Sequence, residues 1–216
     1  MSESQGGLGA HIGTDEAGKG DYFGALAVAA VYADEVALQR LPQAGVRDSK
    51  RVSASSIWRL EKAVKQICPV HEVVLILPPR YNELHAKMRN LNLMLAWAHA
   101  RAIENVLSQV KCGLAVADQF GDEHFLEESL MKQGRKIRIL QRVRAEDDPA
   151  VAAASILARA AFLRSLEKLS GVAGISLPRG ATHVLPAGRQ VLESGGEELL
   201  RQVAKLHFKT TKQLLT

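Results

Sequence analysis

The order of apolar and polar positions along the chain predicts an α/β fold. Short apolar runs typical of strands occur in residues 11–14, 25–32, 71–77, 113–117 and 137–140. Elsewhere apolar residues recur every three or four positions, which predicts helices within residues 53–67, 91–110, 149–169 and 188–206. Strands that come first and then alternate with helices favour a mixed sheet flanked by helices, with further helices at the C-terminus.

The ends and the apolar content of the chain predict its organisation. Residues 1–10 are small and mostly polar, so we expect a flexible start and then a single domain over residues 11–216. No apolar run approaches the roughly 18 residues of a membrane helix, and the first residues do not resemble a secretory signal. Cys68 and Cys112 are the only cysteines and are interpreted as reduced thiols. We therefore expect a cytoplasmic monomer without a membrane partner.

The charge of the chain is compatible with a polyanionic partner. It carries 28 Lys and Arg against 23 Asp and Glu, a net charge of +5. Residues 132–144 contain six basic residues and no acid, and a second basic cluster comprises Arg201, Lys205, His207, Lys209 and Lys212. Each cluster alone is equally typical of a solvated surface. The clusters become informative only if an acidic site lies between them.

Residues 13–20 nearly match the phosphate-binding loop G-x-x-x-x-G-K-[ST], but two features argue against such a loop. The last position is Gly20, so the hydroxyl that binds Mg²⁺ is missing. Asp15 and Glu16 would also lie among bare phosphates, where like charges repel strongly in a low dielectric. The segment is therefore not interpreted as a phosphate-binding loop.

Acidic residues at the ends of two predicted strands suggest a metal site instead. Asp15 follows the first apolar run and Asp118 follows the fourth. Carboxylate oxygens are suited to Mg²⁺ or Mn²⁺, and two such ions can activate water for phosphodiester hydrolysis. Glu16 would point away from Asp15 on an extended chain unless the backbone turns, which the glycines that follow permit.

Seven segments, in order, carry a resemblance to a known family. Residues 13–32 resemble the N-terminal motif of the type 2 ribonucleases H, and the letters GKGDYFG within them are most similar to ribonuclease HIII. The resemblance continues through nearly the whole chain, in residues 46–50, 91–93, 95–100, 117–120, 151–159 and 205–209. The combination of DEAGKGD with VAAASILAR is highly specific to this family.

The resemblance implies a ribonuclease H-like fold, with a five-stranded mixed sheet flanked by helices, and endonucleolytic cleavage of the RNA strand of RNA/DNA hybrids that leaves 3′-hydroxyl and 5′-phosphate ends. It also implies two divalent ions, Mg²⁺ or Mn²⁺. Asp15, Glu16 and Asp118 match three of the four acids that hold them. The nucleic-acid contacts implied by the resemblance are Gly18, Lys19, Gly20, Ser49, Lys50, Ser155 and Lys205.

Three adjacent acids are candidates for the fourth. Asp148 precedes Pro149, and an aspartate at the N-cap with proline at the first helical position is a common helix start. Glu146 and Asp147 are expected on extended chain, pointing to opposite sides. The family's pair of alanine and an acid falls on Ala145 and Glu146, so the resemblance favours Glu146. Asp147 and Asp148 remain open alternatives.

Ribonuclease HIII proteins usually carry an additional N-terminal domain similar to the TATA-binding protein. The motif here starts at residue 13, so we expect a chain without that domain.

Two other functions differ from hybrid cleavage in testable ways. Ribonuclease HII proteins also cut at single ribonucleotides in DNA with the help of a tyrosine that we cannot assign here. A hybrid-binding module without chemistry would use the same basic clusters but would have no use for four acids near phosphates.

Overall fold

The computed structural model of the protein describes residues 8–47, 52–119 and 123–216. The strands are His11–Ala17 (β1), Leu26–Ala33 (β2), His71–Ile76 (β3), Leu114–Asp118 (β4) and Arg138–Arg142 (β5). The helices are Glu35–Gln43 (α1), Ala54–Ile67 (α2), Pro78–Met88 (α3), Leu91–Leu107 (α4), Glu123–Ser129 (α5), Pro149–Ala173 (α6), Leu185–Val203 (α7) and Lys209–Leu215 (α8). The expected flexible start falls mostly on residues 1–7, which lie outside the described residues.

The five strands form one mixed sheet in the order β3-β2-β1-β4-β5, as predicted. β1 pairs antiparallel with β2, and β2 pairs antiparallel with β3. On its other side β1 pairs parallel with β4, and β4 pairs parallel with β5. β1 is therefore the central strand, and its carboxyl end lies beside the carboxyl end of β4.

Helices cover both faces of the sheet. On one face, α4 packs on Ile12, Val28 and Ala115 in a core that also includes residues of α3 and α5. On the other face, the alanine-rich α6 packs on Ala29 and Val31 together with α1 and α2. Because both faces are covered, β1 and β2 are almost entirely buried. Polar side chains on β1 must then find partners inside the protein.

Helix α6 is the main core helix, and it corrects one expectation. By length and composition α6 is apolar enough to cross a membrane, so the statement that no segment approaches this limit is wrong. However, 72% of its apolar stretch is buried inside the protein. Its apolar composition thus follows from contact with the sheet and with neighbouring helices.

Gly13 allows β1 and α6 to approach closely. A Cβ atom at Gly13 would overlap with the backbone of Ala150 and Val151 in the first turn of α6. Close contact at this point fixes the start of α6 against the strand that carries Asp15 and Glu16. The absence of a side chain is therefore a packing requirement rather than a conformational one.

The C-terminal elements build a third core around the loop that follows β1. Tyr22 and Phe23 of this loop are fully buried among residues of α6 and α7. Phe23 forms an isolated β-bridge with Ala204, and the hydroxyl groups of Tyr22 and Thr211 lie 3.1 Å apart. The residues that precede and follow α7 thus hold a loop near the start of the chain.

We predict that Gly13→Ala destabilises the protein by at least about 1–3 kcal/mol, because the added methyl group has no space between β1 and α6. The free energy of unfolding is measured by urea denaturation. Gly113→Ala is the matched control, since a Cβ atom at Gly113 meets no atom within 4 Å. Equal stability of the two variants would contradict the close contact.

Candidate active site

Two acidic side chains lie next to each other at the carboxyl ends of the parallel strands β1 and β4. Thr14 is in register with Ala117, which places Asp15 beside Asp118 one residue further along. Gly13 faces α6, so Asp15, two residues later, lies on the same side of the sheet. Residues in register on neighbouring strands share a face, so Asp118 also lies on the α6 side.

The backbone holds both carboxylates in place. Asp15 is buried, and its Oδ1 accepts a hydrogen bond of 2.7 Å from the backbone N–H of Glu16. Oδ1 of Asp118 accepts a hydrogen bond of 3.1 Å from the N–H of Ala145. Ala145 begins a short 3₁₀ turn, Ala145–Asp147, that leads into α6. Asp118 is therefore tied to the segment that contains the candidates for the fourth acid.

Glu16 lies on the opposite face of β1 from Asp15. The strand continues to Ala17, so the turn that was expected to redirect Glu16 comes only after it. Its Oε2 lies 3.2 Å from Nε2 of His99 on α4, and its Oε1 lies 3.6 Å from the Lys19 ammonium. Burial raises the pKa of this carboxyl, but His99 and Lys19 outweigh burial and lower it below its usual value. Glu16 is therefore held as a carboxylate.

His99 is a residue of the site that the sequence did not reveal. The structure buries it completely between Thr14 and Glu16. A polar side chain among the apolar positions of α4 needs a buried partner, and this position was the feature of the sequence that could have indicated one. The sequence could not show that its partner is a candidate metal ligand.

Asp148, in the segment before α6, has a structural role at the start of this helix. Asp148 is the N-cap of α6, with Pro149 in the first turn, as predicted. Its Oδ1 accepts from the N–H groups of Ala150 and Val151 and lies 3.0 Å from Nε2 of His11. This carboxylate is thus engaged in starting α6.

Asp147 and Glu146 lie in the 3₁₀ turn and not on extended chain, so that expectation is wrong. The side chain of Asp147 is exposed. The side chain of Glu146 lies outside the described part of the structure. Glu146 therefore stays the predicted fourth acid, one residue after the amide that Asp118 binds.

The loop after β1 combines a buried and an exposed glycine around Lys19. Gly18 has a φ of +88°, and a Cβ atom there would overlap with the Ala25 carbonyl oxygen. A Cβ atom at Gly20 would meet nothing within 4 Å, so this part of the backbone is open to an approaching ligand. The carboxylate of Asp21 accepts from the N–H of Gly180 at 2.6 Å and fixes the end of the loop.

The structure buries the side chains of two residues that were predicted to contact nucleic acid, and these contacts stay predictions. Lys205 is fully buried, and its ammonium donates to the carbonyl oxygens of Phe23, Gly24 and Ala25. Burial also lowers the pKa of Lys205 to about 7. Ser155 is buried in α6 and donates to the carbonyl oxygen of Ala152. Both side chains thus bind carbonyl oxygens inside the protein, and the predicted contacts Ser49 and Lys50 lie outside the described residues.

The donor chemistry of the site suits a hard divalent cation. Asp15 and Asp118 offer carboxylate oxygens on one face, and Glu16 reaches the same end of the sheet from the other face. Within the described residues no three Asp, Glu, His or Cys side chains yet form a group that would hold a metal ion. A complete oxygen cage on the α6 face therefore requires Glu146 or a ligand.

Comparison with known proteins gives one consistent result. Residues 12–211 match the family model described as Ribonuclease HII. A Ribonuclease HIII from Protochlamydia amoebophila is 45% identical over 95% of this chain and 68% of that protein, so the chain spans about two thirds of its relative. The crystal structure of Bst-RNase HIII in complex with Mn²⁺ superposes with a TM-score of 0.90 at 34% identity, covering 98% of this chain and 70% of that one.

A more distant solved structure shares the fold. The ribonuclease H2 from Pyrococcus horikoshii OT3 has a TM-score of 0.80 at 22% identity, over 95% of this chain and 96% of that one. Together with the agreement to Bst-RNase HIII, this confirms the predicted ribonuclease H-like fold.

We predict that Asp148→Ala lowers the free energy of unfolding by about 0.5–2 kcal/mol, because the first turn of α6 loses its cap. Asp147→Ala is the matched control, since the neighbouring side chain is exposed, and it should leave stability nearly unchanged. Equal losses in the two variants would contradict the capping role.

The pH dependence of the Asp148→Ala effect has a definite sign. Burial lowers the pKa of His11, but its bonds to Asp148 and Gly9 prevail and raise it above 6.5. Burial raises the pKa of Asp148, but its bonds from His11 and the α6 amides lower it below 3.8. The contribution from His11 is lost as pH rises through its raised pKa, and that from Asp148 is lost as pH falls through its lowered pKa. The stability difference between Asp148→Ala and the wild type should therefore be largest from about pH 4 to 6.5.

Proposed function

The chain belongs to the ribonuclease HII family and is a ribonuclease H enzyme, and on this premise we propose that it hydrolyses the RNA strand of RNA/DNA hybrids internally, leaving 3′-hydroxyl and 5′-phosphate ends. The observation that carries the proposal is the side-by-side placement of Asp15 and Asp118 at the carboxyl ends of two parallel strands. A module that only binds hybrids would gain nothing from adjacent carboxylates near phosphates.

Divalent metal ions are required throughout this family, and we propose two ions, Mg²⁺ or Mn²⁺, for this chain. Asp15 and Asp118 would hold them from the α6 face of the sheet and Glu16 from the opposite face, with Glu146 as the predicted fourth acid. Two such ions, when bound, activate a water and stabilise the leaving oxygen of a phosphodiester. The protein contributes the fixed positions of the carboxylates, which the strands and the Ala145 amide determine before substrate arrives.

The loop after β1 is suited to recognise the RNA strand. The open backbone at Gly20 and the turn at Gly18 let the main chain approach a sugar 2′-hydroxyl, which distinguishes RNA from DNA. Lys19 is half-buried and close to Glu16, so its ammonium would meet a phosphate next to the acidic site. All six basic residues between 132 and 144 are exposed, which adds a positive surface around β5.

Ribonuclease HIII-like specificity is favoured over cleavage at single ribonucleotides. The chain has three tyrosines, all within the described residues. Tyr22 and Tyr81 are fully buried, and Tyr32 pairs with Ile12 at the opposite end of β1 from the acidic site. None of the three tyrosines is therefore a candidate for recognising a ribonucleotide junction.

The cytoplasmic location and the monomeric state of the protein stay predictions.

We predict that Asp118→Asn reduces hybrid cleavage by at least ~10³-fold, because a metal-binding carboxylate is lost from the site. Hybrid binding should persist, since removing a negative charge does not weaken phosphate contacts. Cleavage of a labelled RNA/DNA duplex is measured with Mg²⁺ and with Mn²⁺, and binding is measured separately without metal. Near-normal cleavage by Asp118→Asn would refute the assignment.

The same assay separates the candidates for the fourth acid. Glu146→Gln should lose most activity at unchanged stability, whereas Asp147→Asn should stay active because its side chain is exposed. The reverse pattern, with an active Glu146→Gln and an inactive Asp147→Asn, would move the assignment to Asp147.

Hybrid binding should depend strongly on salt. If four to six phosphates are neutralised, the slope of log affinity against log salt should be roughly −3 to −5. Lys19→Ala should reduce the magnitude of this slope by about one. Lys111→Ala is the matched control, because Lys111 is exposed before β4, at the opposite end of that strand from Asp118. A slope that responds equally to both substitutions would exclude Lys19 from the contact.

A further inference from the structure

We propose that His99 is a positioning residue that holds the Glu16 carboxylate in place for metal binding, through a hydrogen-bonded chain that starts at the Ala29 carbonyl and passes through Thr14. The inference rests on the proposed function, because it assigns a role toward the metal ions of that site. It adds a residue of α4 to a site otherwise built from β1, β4 and the segment before α6.

The chain of contacts crosses from β2 through β1 to α4. The Thr14 hydroxyl donates to the Ala29 carbonyl oxygen at 2.7 Å, and the Thr14 oxygen lies 2.9 Å from Nδ1 of His99. Nε2 of His99 then lies 3.2 Å from Oε2 of Glu16. Thr14 and His99 have no exposed surface. Water therefore does not compete for the first two links of the chain.

Both ring nitrogens of His99 are engaged. Nδ1 lies 2.9 Å from the Thr14 oxygen, and the Thr14 hydroxyl is fixed in turn by its bond to the Ala29 carbonyl oxygen. Contacts at both nitrogens fix the orientation of the ring, so Nε2 faces the Glu16 carboxylate with a defined geometry. The backbone of β2 thus orients a side chain at the end of β1.

Glu16 needs such a contact more than Asp15 does. The shorter Asp15 is fixed by the amide of the next residue, whereas Glu16 has one more rotatable bond and faces the other side of the sheet. Lys19 reaches the other carboxylate oxygen from 3.6 Å, but it is on a loop and is half-exposed. His99 belongs to the core packing of α4 and is therefore the rigid member of the pair that holds Glu16.

A purely structural role for His99 makes a different prediction. If His99 only filled space and formed hydrogen bonds in the core, its replacement would lower the stability of the protein and leave metal affinity unchanged. If it positions Glu16, its replacement must weaken metal binding even where the fold is intact. Removing a residue that hydrogen-bonds to a metal ligand typically lowers metal affinity by 10–100-fold.

The experiment measures Mn²⁺ binding to the substrate-free protein by isothermal titration calorimetry, for wild type, His99→Gln and Thr14→Val, with thermal unfolding alongside. We expect His99→Gln to weaken Mn²⁺ binding by about 10-fold, and Thr14→Val to weaken it in the same direction by a smaller factor. The Mg²⁺ concentration for half-maximal hybrid cleavage should rise in parallel, with a smaller change in kcat. Thr14→Val keeps the proposal testable if His99→Gln does not fold.

Two further variants separate positioning from packing. Ile103→Ala removes a fully buried side chain one turn further along α4, so it should lower stability without changing Mn²⁺ affinity. In a Glu16→Gln background, His99→Gln should change Mn²⁺ affinity by less than twofold, because the group that it positions has lost its charge.

Mn²⁺ affinity of both His99→Gln and Thr14→Val within twofold of wild type would overturn the proposal, and so would an undiminished effect of His99→Gln in the Glu16→Gln background. Failure of the wild-type protein to cleave hybrids would instead refute the proposed function, which the binding measurements do not assume.

Discussion

The alternation of side chains along β1 is the constraint on which the site depends. Asp15 and Glu16 are neighbours in sequence, so a regular strand must send their carboxylates to opposite faces of the sheet. Both faces are covered by helices, and each acid therefore enters a different environment. Asp15 accepts from the backbone amide of Glu16 and lies beside Asp118, whereas Glu16 meets His99 and Lys19. The two adjacent acids thus have two separate sets of neighbours.

Helix α6 contributes by contact and by the chemistry of its first turn. Its close approach to Gly13 places its start beside the acidic residues. Its free N–H groups would attract those carboxylates, but Asp148 already binds the amides of Ala150 and Val151. The carboxylates of Asp15 and Asp118 are bound instead by the amides of Glu16 and Ala145. Capping by Asp148 therefore keeps the helix start from competing for the carboxylates of Asp15 and Asp118.

The sequence predicted the elements that depend on local pattern, and it missed those that depend on tertiary contact. The five strands and the start of α6 follow from periodicity and from residue types with strong positional preferences. Pro78 and Pro79 begin α3, a helix that the periodicity did not predict, because proline is tolerated in a first helical turn. The burial of Lys205 and the pairing of His99 with Glu16 join residues more than 80 positions apart, and no local pattern encodes them.

The loop after β1 is held by residues far along the sequence, and this has a consequence for the order in which the site forms during translation. Tyr22 contacts Thr211 across 189 positions of the sequence, and Asp21 binds Gly180 across 159. During translation, Asp21 and Tyr22 leave the ribosome 159 and 189 residues before their partners Gly180 and Thr211. Contacts of such long range also form late in folding, because closing a long loop costs entropy. A nascent chain therefore displays its acidic strand well before the loop after β1 has the contacts that shape it.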